Sequence, residues 1–273
     1  MLITLKRTLL DLTKPRIMGI LNITPDSFYE GSRFTDLSNI LIQTEKMLSA
    51  GATFLDIGGH STRPGATPVN EEEELKRVVP VVEAIIQNFP EAFISIDTFR
   101  STVAQQCVEV GAVMVNDVSG GILDDKMFET VAKLNVPYVL MHMRGTVETM
   151  TQMTHYDDLV TDILDDLQKK IYQLRQLGQK DIIIDLGFGF AKTADQNYVL
   201  LKHLEDFKLL DCPMLVGVSR KSMIWRKLNI SPNDSLNGST VLNTVALTKG
   251  ANILRVHDVN EAVEAVKLMA FLG

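Results

Sequence analysis

The sequence predicts an α/β fold, a (β/α)8 TIM barrel with a short N-terminal cap segment, and three observations lead there. Short apolar runs alternate with longer segments of helical period, the runs number eight, and a polar or charged residue stands at or just after each one. The chain has 273 residues, and a barrel of this class takes ~250. One domain spanning residues 1–273 is therefore expected, since no Pro/Gly/Ser-rich linker or composition shift divides the chain. An open doubly wound sheet shares the alternation. The strand number argues against it, and so does the missing dinucleotide fingerprint: Lys192 stands where a third glycine would follow Gly187-Phe188-Gly189.

The elements follow in order. Ile3 to Leu12 precedes the first run and reads as a short hairpin or cap over the barrel bottom. The eight runs are Ile17–Leu21, Phe54–Ile57, Phe93–Ile96, Val113–Val115, Val136–Met141, Ile182–Ile184, Met214–Val218 and Ile253–Val256. Most are apolar on successive residues, the pattern of parallel strands covered on both faces. The segments between them read as helices. The clearest spans Glu71 to Asn88, with Leu75, Val78, Val79, Val82, Ile85 and Ile86 on one face. Asn70 is a good N-cap, and three glutamates suit the positive end of the helix dipole. Pro80 inside it predicts a kink. A second long helix runs from Asp158 to Leu177, ended by Gly178. A last one covers Asn260 to Leu272, with Val263, Val266, Met269 and Phe271 largely inward.

Composition narrows the function classes. A formal net charge of −7 argues against general attraction to nucleic acid, while a local cluster of cations can still bind a small anion. No apolar run approaches the ~20 residues of a membrane span, so no membrane partner is expected. The N-terminus lacks the apolar core of a signal peptide. Two cysteines, Cys107 and Cys212, suggest neither a disulfide framework nor a zinc site, which fits a reducing, cytoplasmic setting.

The strand ends carry the chemistry. They present Asn22, Asp56, Asp97, Asn116, His142, Asp185, Ser219 to Lys221, and Arg255 with His257. In barrels this rim is where active sites sit. Any one of these residues alone reads as a cap or turn; the repetition on all eight strands points to a site. A carboxylate at Asp97 can accept two parallel N–H donors from a planar ligand edge, and Thr98 is available to cap the next helix in its place. Asn116 both donates and accepts, which suits a heterocycle edge of mixed character; a turn is the competing role. Asp185 is followed by Gly187-Phe188-Gly189-Phe190, where glycines let backbone approach a ligand and Phe190 either stacks or fills core. Ser219-Arg220-Lys221-Ser222 places two adjacent cations at a strand end, so an anionic or carbonyl partner is expected for at least one. Arg255 and His257, two apart on one strand, face together and suit a phosphate oxygen. Long segments after the first two strands, Asn22 to Phe28 and Ser61 to Ala66, have lid-like composition.

Taken together these motifs resemble the dihydropteroate synthase family. The matching stretches are Met18–Phe28, Asp56–Gly59, Ser61–Ala66, Ser95–Arg100, Asn116-Asp117, Gly187–Thr193, Ser219–Lys221 and Arg255–Asp258, in family order and over nearly the whole chain. Thr24-Pro25-Asp26-Ser27-Phe28 and Ser61-Thr62-Arg63-Pro64-Gly65 are the most specific. The chain departs from the family at Leu186, where a proline is usual, and at His60, where many members are acidic. The resemblance implies a transferase of folate biosynthesis: a dihydropterin bearing a CH₂–diphosphate loses diphosphate and takes the amine of 4-aminobenzoate. It also implies Mg²⁺, a homodimer, and roles for particular residues. Asp97, Asn116, Asp185, Lys221 and Arg255 would hold the pterin, with Phe190 beside it. Arg63, His257 and Asn22 with Mg²⁺ would draw off diphosphate. Thr62, Pro64, Ser222 and Phe28 would form the aminobenzoate pocket.

Three other readings share parts of the pattern. A pterin-binding methyltransferase has the barrel and the acidic contacts, but is not expected to carry Ser-Arg-Lys, Arg-Val-His and Ser-Thr-Arg-Pro-Gly together. An aldolase-like barrel would use Lys221 as a Schiff base. A non-catalytic pterin-binding paralogue would release no diphosphate.

Overall fold

The computed structural model describes residues 1–6, 8–23, 33–60, 69–146 and 148–272, with 33–36 described by their backbone alone. An antiparallel hairpin, β1 (Leu2–Leu5) and β2 (Thr8–Asp11), comes first. Eight parallel strands then close into a barrel: β3 (Arg16–Asn22), β4 (Phe54–Gly58), β5 (Phe93–Asp97), β6 (Met114–Asp117), β7 (Tyr138–Met141), β8 (Ile182–Asp185), β9 (Met214–Val216) and β10 (Ile253–Val256). β10 pairs with both β9 and β3, so no edge is left open. Around it lie α1 (Arg33–Ser49), α2 (Glu71–Asn88), α3 (Ser101–Glu109), α4 (Met127–Leu134), α5 (Leu159–Gln176), α6 (Ala194–Lys202), α7 (Ser222–Leu228), α8 (Leu236–Thr248) and α9 (Val259–Met269). No described helix is long and apolar enough to cross a membrane.

Period-two alternation along each strand sorts the core into two parts. Residues such as Ile17, Leu55, Ile57, Ile94, Ile96 and Leu140 face outward and pack with the helices. Met18, Phe54, Met114, Val139, Ile183, Leu215 and Ile253 fill the inside of the barrel at its lower end. Ile3, Leu5 and Leu12 join that inner cluster, so the hairpin does plug the bottom as its sequence suggested. Leu5→Ala is expected to lower unfolding free energy by about 2–5 kcal/mol, since a fully buried leucine leaves a cavity behind. Urea denaturation of the two proteins measures it.

Two residues further along the same strands, the same face of the barrel carries Ile20, Asp56, Ser95, Asn116, Met141, Asp185, Gly217 and Arg255. The rule that stacks an apolar layer at the bottom thus lifts a polar layer to the carboxyl ends.

The helix ends follow from local chemistry. Asn70 Oδ1 accepts from Glu73 N–H at 2.8 Å and caps α2, as expected. Asp158 caps α5 in the same way through Thr161 N–H. Helix α2 continues through Pro80 to Asn88. The last helix is shorter than its sequence suggested. It ends at Met269, and Phe271, read as inward, is 87% exposed. The side chains that α9 buries are Val259, Ala262 and Ala265, small enough to bring the helix close to the barrel.

Candidate active site

Arg255 organises the inner polar layer. From β10 its Nε donates to Asp56 Oδ2 at 2.6 Å and its Nη2 donates to Asp97 Oδ2 at 2.6 Å. Asn116 Nδ2 donates to the same Asp56 oxygen at 2.9 Å. Four strands, β4, β5, β6 and β10, therefore meet in one network. Burial pushes the Asp97 carboxyl up to about 7; Arg255 opposes this and Asp56 adds to it. Burial works against the Arg255 charge, but Asp56 and Asp97 outweigh it and hold the guanidinium above its usual range. By sequence, a phosphate is the preferred partner for Arg255 and a buried pairing with acidic neighbours comes second. Both arms instead bind carboxylates, because buried Asp56 and the half-buried Asp97, one layer above it, need a cation between them. Asp56, noted only as a strand end, is the partner that sequence reading missed. Only neighbouring strands reveal it.

β8 and the turn after β9, the strand next to β10, supply Asp185 and Lys221. Asp185 is buried, and its Oδ1 accepts from Gly187 N–H at 2.8 Å. Burial raises its pKa, with Lys221 pulling the other way. Lys221 Nζ donates to the Phe188 carbonyl and lies 4.9 Å from the centre of the Phe190 ring. Burial brings this ammonium down to about 8, against the pull of Asp185.

The structure separates the two adjacent cations at 220 and 221. Arg220 turns away in the left-handed region (φ 54°) and binds both oxygens of Asp258, at 2.9 and 2.7 Å. Lys221 alone faces the site. Ser222 opens α7 next to it. His257 meets Ser219, with Nδ1 and Oγ 3.0 Å apart and the His257 N–H donating to the same oxygen at 3.2 Å. Asn22 is exposed at the end of β3. Thr98, expected to cap the next helix, does not. Its hydroxyl donates to buried Glu74, and α3 has no side-chain cap. Asp117 is internal, accepting from Ser119, Gly121 and Tyr138. Phe28, Thr62, Arg63 and Pro64 lie outside the described residues.

A buried ring with acids on one face, a lysine and an arginine beside them, and an amide between suits a flat heterocycle with several N–H donors. Residues 18–257 match the family model described as "Pterin binding enzyme". Dihydropteroate synthase of Escherichia coli K12 is 43% identical over 264 residues, covering 96% of this chain and 93% of that protein. The Haemophilus influenzae enzyme of the same name is 44% identical over 261 residues, covering 95% and 94%. The chain belongs to the dihydropteroate synthase family. Solved structures agree. Yersinia pestis dihydropteroate synthase in a sulfonamide drug complex superposes with a TM-score of 0.93 at 43% identity, covering 100% of this chain and 99% of that one. The Xanthomonas albilineans enzyme with 4-aminobenzoic acid gives 0.91 at 38% identity, covering 99% and 97%.

The enzyme is thus a transferase whose inner layer is a charged floor. That floor has a consequence for pH. Asp97 takes a proton below about 7, and the protonated form loses charge and an acceptor site that a donor-rich ligand needs. If Asp97 binds the pterin, affinity is expected to weaken as pH falls through about 7, with Arg255 remaining charged throughout, and a second loss is expected above about pH 8 as Lys221 gives up its charge. Titration calorimetry across pH 5–9 checks this. The step should flatten in Asp97→Asn; a step that survives the substitution assigns it to another group.

Proposed function

We propose that the enzyme condenses (7,8-dihydropterin-6-yl)methyl diphosphate with 4-aminobenzoate, giving 7,8-dihydropteroate and diphosphate for folate biosynthesis. The observation that carries this reading is the inner layer itself. Asp97, Arg255, Asn116, Asp185 and Lys221 all stand at the carboxyl ends of a barrel of this family. The 2-amino group and adjacent ring N–H of a pterin form a donor edge for Asp185 or Asp97, and Asn116 can read the neighbouring mixed edge. Lys221 can reach the ring carbonyl or a ring nitrogen, with Phe190 beside it. Arg255 keeps its flat face for stacking on the ring even with both arms engaged. His257, just past the end of β10, would meet the departing diphosphate, and Arg63 is assigned the same role on its match to the family motif. Diphosphate departs with the bonding electron pair to leave a pterin-methyl cation; the aryl amine attacks that carbon and then loses its proton. Such an attack needs no strong general base. Catalysis lies in position and charge.

Mg²⁺ fits this donor set. Asn22 offers one exposed amide oxygen at the rim, and no cluster of three His, Cys, Asp or Glu among the described residues could hold a metal alone. Mg²⁺ sites with few protein ligands are completed by substrate phosphates and water. Bound there with Asn22, the ion would supply charge neutralisation at the departing diphosphate. The decisive assay is diphosphate release from the pterin diphosphate, expected to depend on both Mg²⁺ and 4-aminobenzoate. Release that ignores the amine would refute the condensation.

Thr62, Pro64, Ser222 and Phe28 are assigned to the aminobenzoate pocket, on their match to the family motifs. Arg63→Ala is expected to lower turnover more than pterin binding. Steady-state kinetics set beside calorimetry decide it, and equal losses in both count against the assignment.

We also infer that residues 1–273 act as one domain, in the cytoplasm, as a homodimer. One barrel and its hairpin account for the described chain. Both cysteines are buried free thiols. Val241 and Val245 of α8, with Leu268, Phe271 and Leu272 at the α9 end, are exposed apolar side chains that a second copy would cover. Sedimentation equilibrium tests the dimer, and a monomer at micromolar concentration overturns it.

A further inference from the structure

The segment joining β8 to α6 carries Asp185, Phe188 and Phe190, yet little of it is regular structure. Its backbone alternates in sign, with positive φ at Gly187 (67°), Gly189 (82°) and Ala191 (50°). A non-glycine residue in that region is strained unless its surroundings fix it. Lys192 does the fixing. It is buried, and Nζ donates to the carbonyls of Gly187 at 3.1 Å and Phe190 at 3.0 Å. His142 Nδ1, at the end of β7, lies 3.0 Å from the same atom. An ammonium has three N–H bonds, and here it has three acceptors. While Lys192 is charged, Nδ1 serves as the third acceptor; burial brings the Lys192 ammonium down to about 7, against the pull of Asp185, and holds the His142 pKa well below its ordinary value.

The far side of the segment is secured separately. The Tyr156 hydroxyl donates to the Ala191 carbonyl at 2.9 Å, and Gly189 N–H donates to Asn197 at 2.7 Å. Asn197 holds the middle of the turn from Gly187 to Phe190, and Lys192 joins its two ends, which also close on each other through the Phe190 N–H to Gly187 carbonyl bond at 3.0 Å. That turn holds three parts of the floor. Gly187 N–H is bound by Asp185, the Phe188 carbonyl receives Lys221, and the Phe190 ring lies beside Lys221.

We propose that Lys192, with His142 as its acceptor, is a positioning residue for the pterin side of the site. It acts through the 187–190 turn and never touches substrate. The inference rests on the synthase reading for the identity of the ligand. It assigns Lys192 a selective effect: the pterin is held less well without it, while the second substrate is not.

The test uses the intact enzyme. Lys192→Met keeps length and removes every donor. Binding of a hydroxymethyl pterin lacking diphosphate is followed by calorimetry, and the KM for 4-aminobenzoate by steady-state kinetics. Lys192→Met is expected to weaken pterin binding about tenfold or more, with the aminobenzoate KM within about twofold of wild type. In a cycle with Phe190→Ala the two effects should fall well short of additive, because both act through one turn. Unchanged pterin binding, equal losses for both substrates, or full additivity each overturn the proposal. If Lys192→Met does not fold, His142→Leu, which removes one acceptor only, is expected to weaken pterin binding in the same selective way. Wild-type affinity in that variant overturns it as well. Failure of the wild-type enzyme to bind the pterin would instead count against the synthase reading.

Discussion

Arg255→Met is expected to destabilise the enzyme by about 3–5 kcal/mol and to abolish pterin binding. The guanidinium is the cation between Asp56 and Asp97, with both bonds at 2.6 Å. Removing it leaves buried Asp56 and half-buried Asp97, in successive layers of the barrel, with no charge to offset them, the situation in which a broken buried pair costs about 3–5 kcal/mol. The sign of the pH dependence follows. Asp97 is already raised to about 7 by burial with Arg255 opposing, so loss of Arg255 raises it further. The variant can then relieve the repulsion by protonation. Its deficit relative to wild type should be largest near pH 8 and smaller near pH 5.5. Urea denaturation at the two pH values measures this. An equal deficit at both would show that packing around the side chain, not charge, is what Arg255 contributes.

Asp185→Ala is expected to weaken pterin binding by about 1.5–3 kcal/mol, which is roughly a ten- to hundredfold rise in Kd. Two losses combine. In the proposed placement the donor edge of the ligand would lose a charged acceptor, and the buried Gly187 N–H loses its partner at 2.8 Å. Asp185→Asn separates them. It keeps an oxygen for Gly187 and removes the charge, so it should bind pterin more weakly than wild type and retain more stability than the alanine variant. Asp97→Ala should weaken pterin binding by a similar amount. Calorimetry on folded variants decides, and unchanged affinity in Asp185→Ala would remove it from the pterin site.

How far these residues were legible depends on what each one needs to be recognised. Asp97, Asn116, Asp185, Lys221 and Arg255 were visible because a polar residue closing an apolar run is a local signal, repeated strand after strand. The floor they form is the same signal seen in three dimensions. Roles that depend on a partner were not visible. Arg220 and Lys221 are adjacent in sequence and indistinguishable there. One backbone torsion sends Arg220 to Asp258 and leaves Lys221 facing Asp185. Arg255 looked like a phosphate fork because its two carboxylates come from strands 199 and 158 residues away. Thr98 looked like a cap, but buried Glu74 of α2 is its stronger partner. Lys192 entered only as a residue that broke a glycine motif. Its function lies in three acceptors, and one of them is on another strand. Phe271 had apolar character and the right period, but the helix stops at Met269 and leaves it outside.

The barrel, the plug at its bottom and the polar rim can be read from residue order alone. Those rest on alternation, length and residue type, which are local quantities. Which charges pair with one another is set in three dimensions. Eight strands converge on one interior, and electrostatics there is settled by distances between residues that the chain keeps far apart.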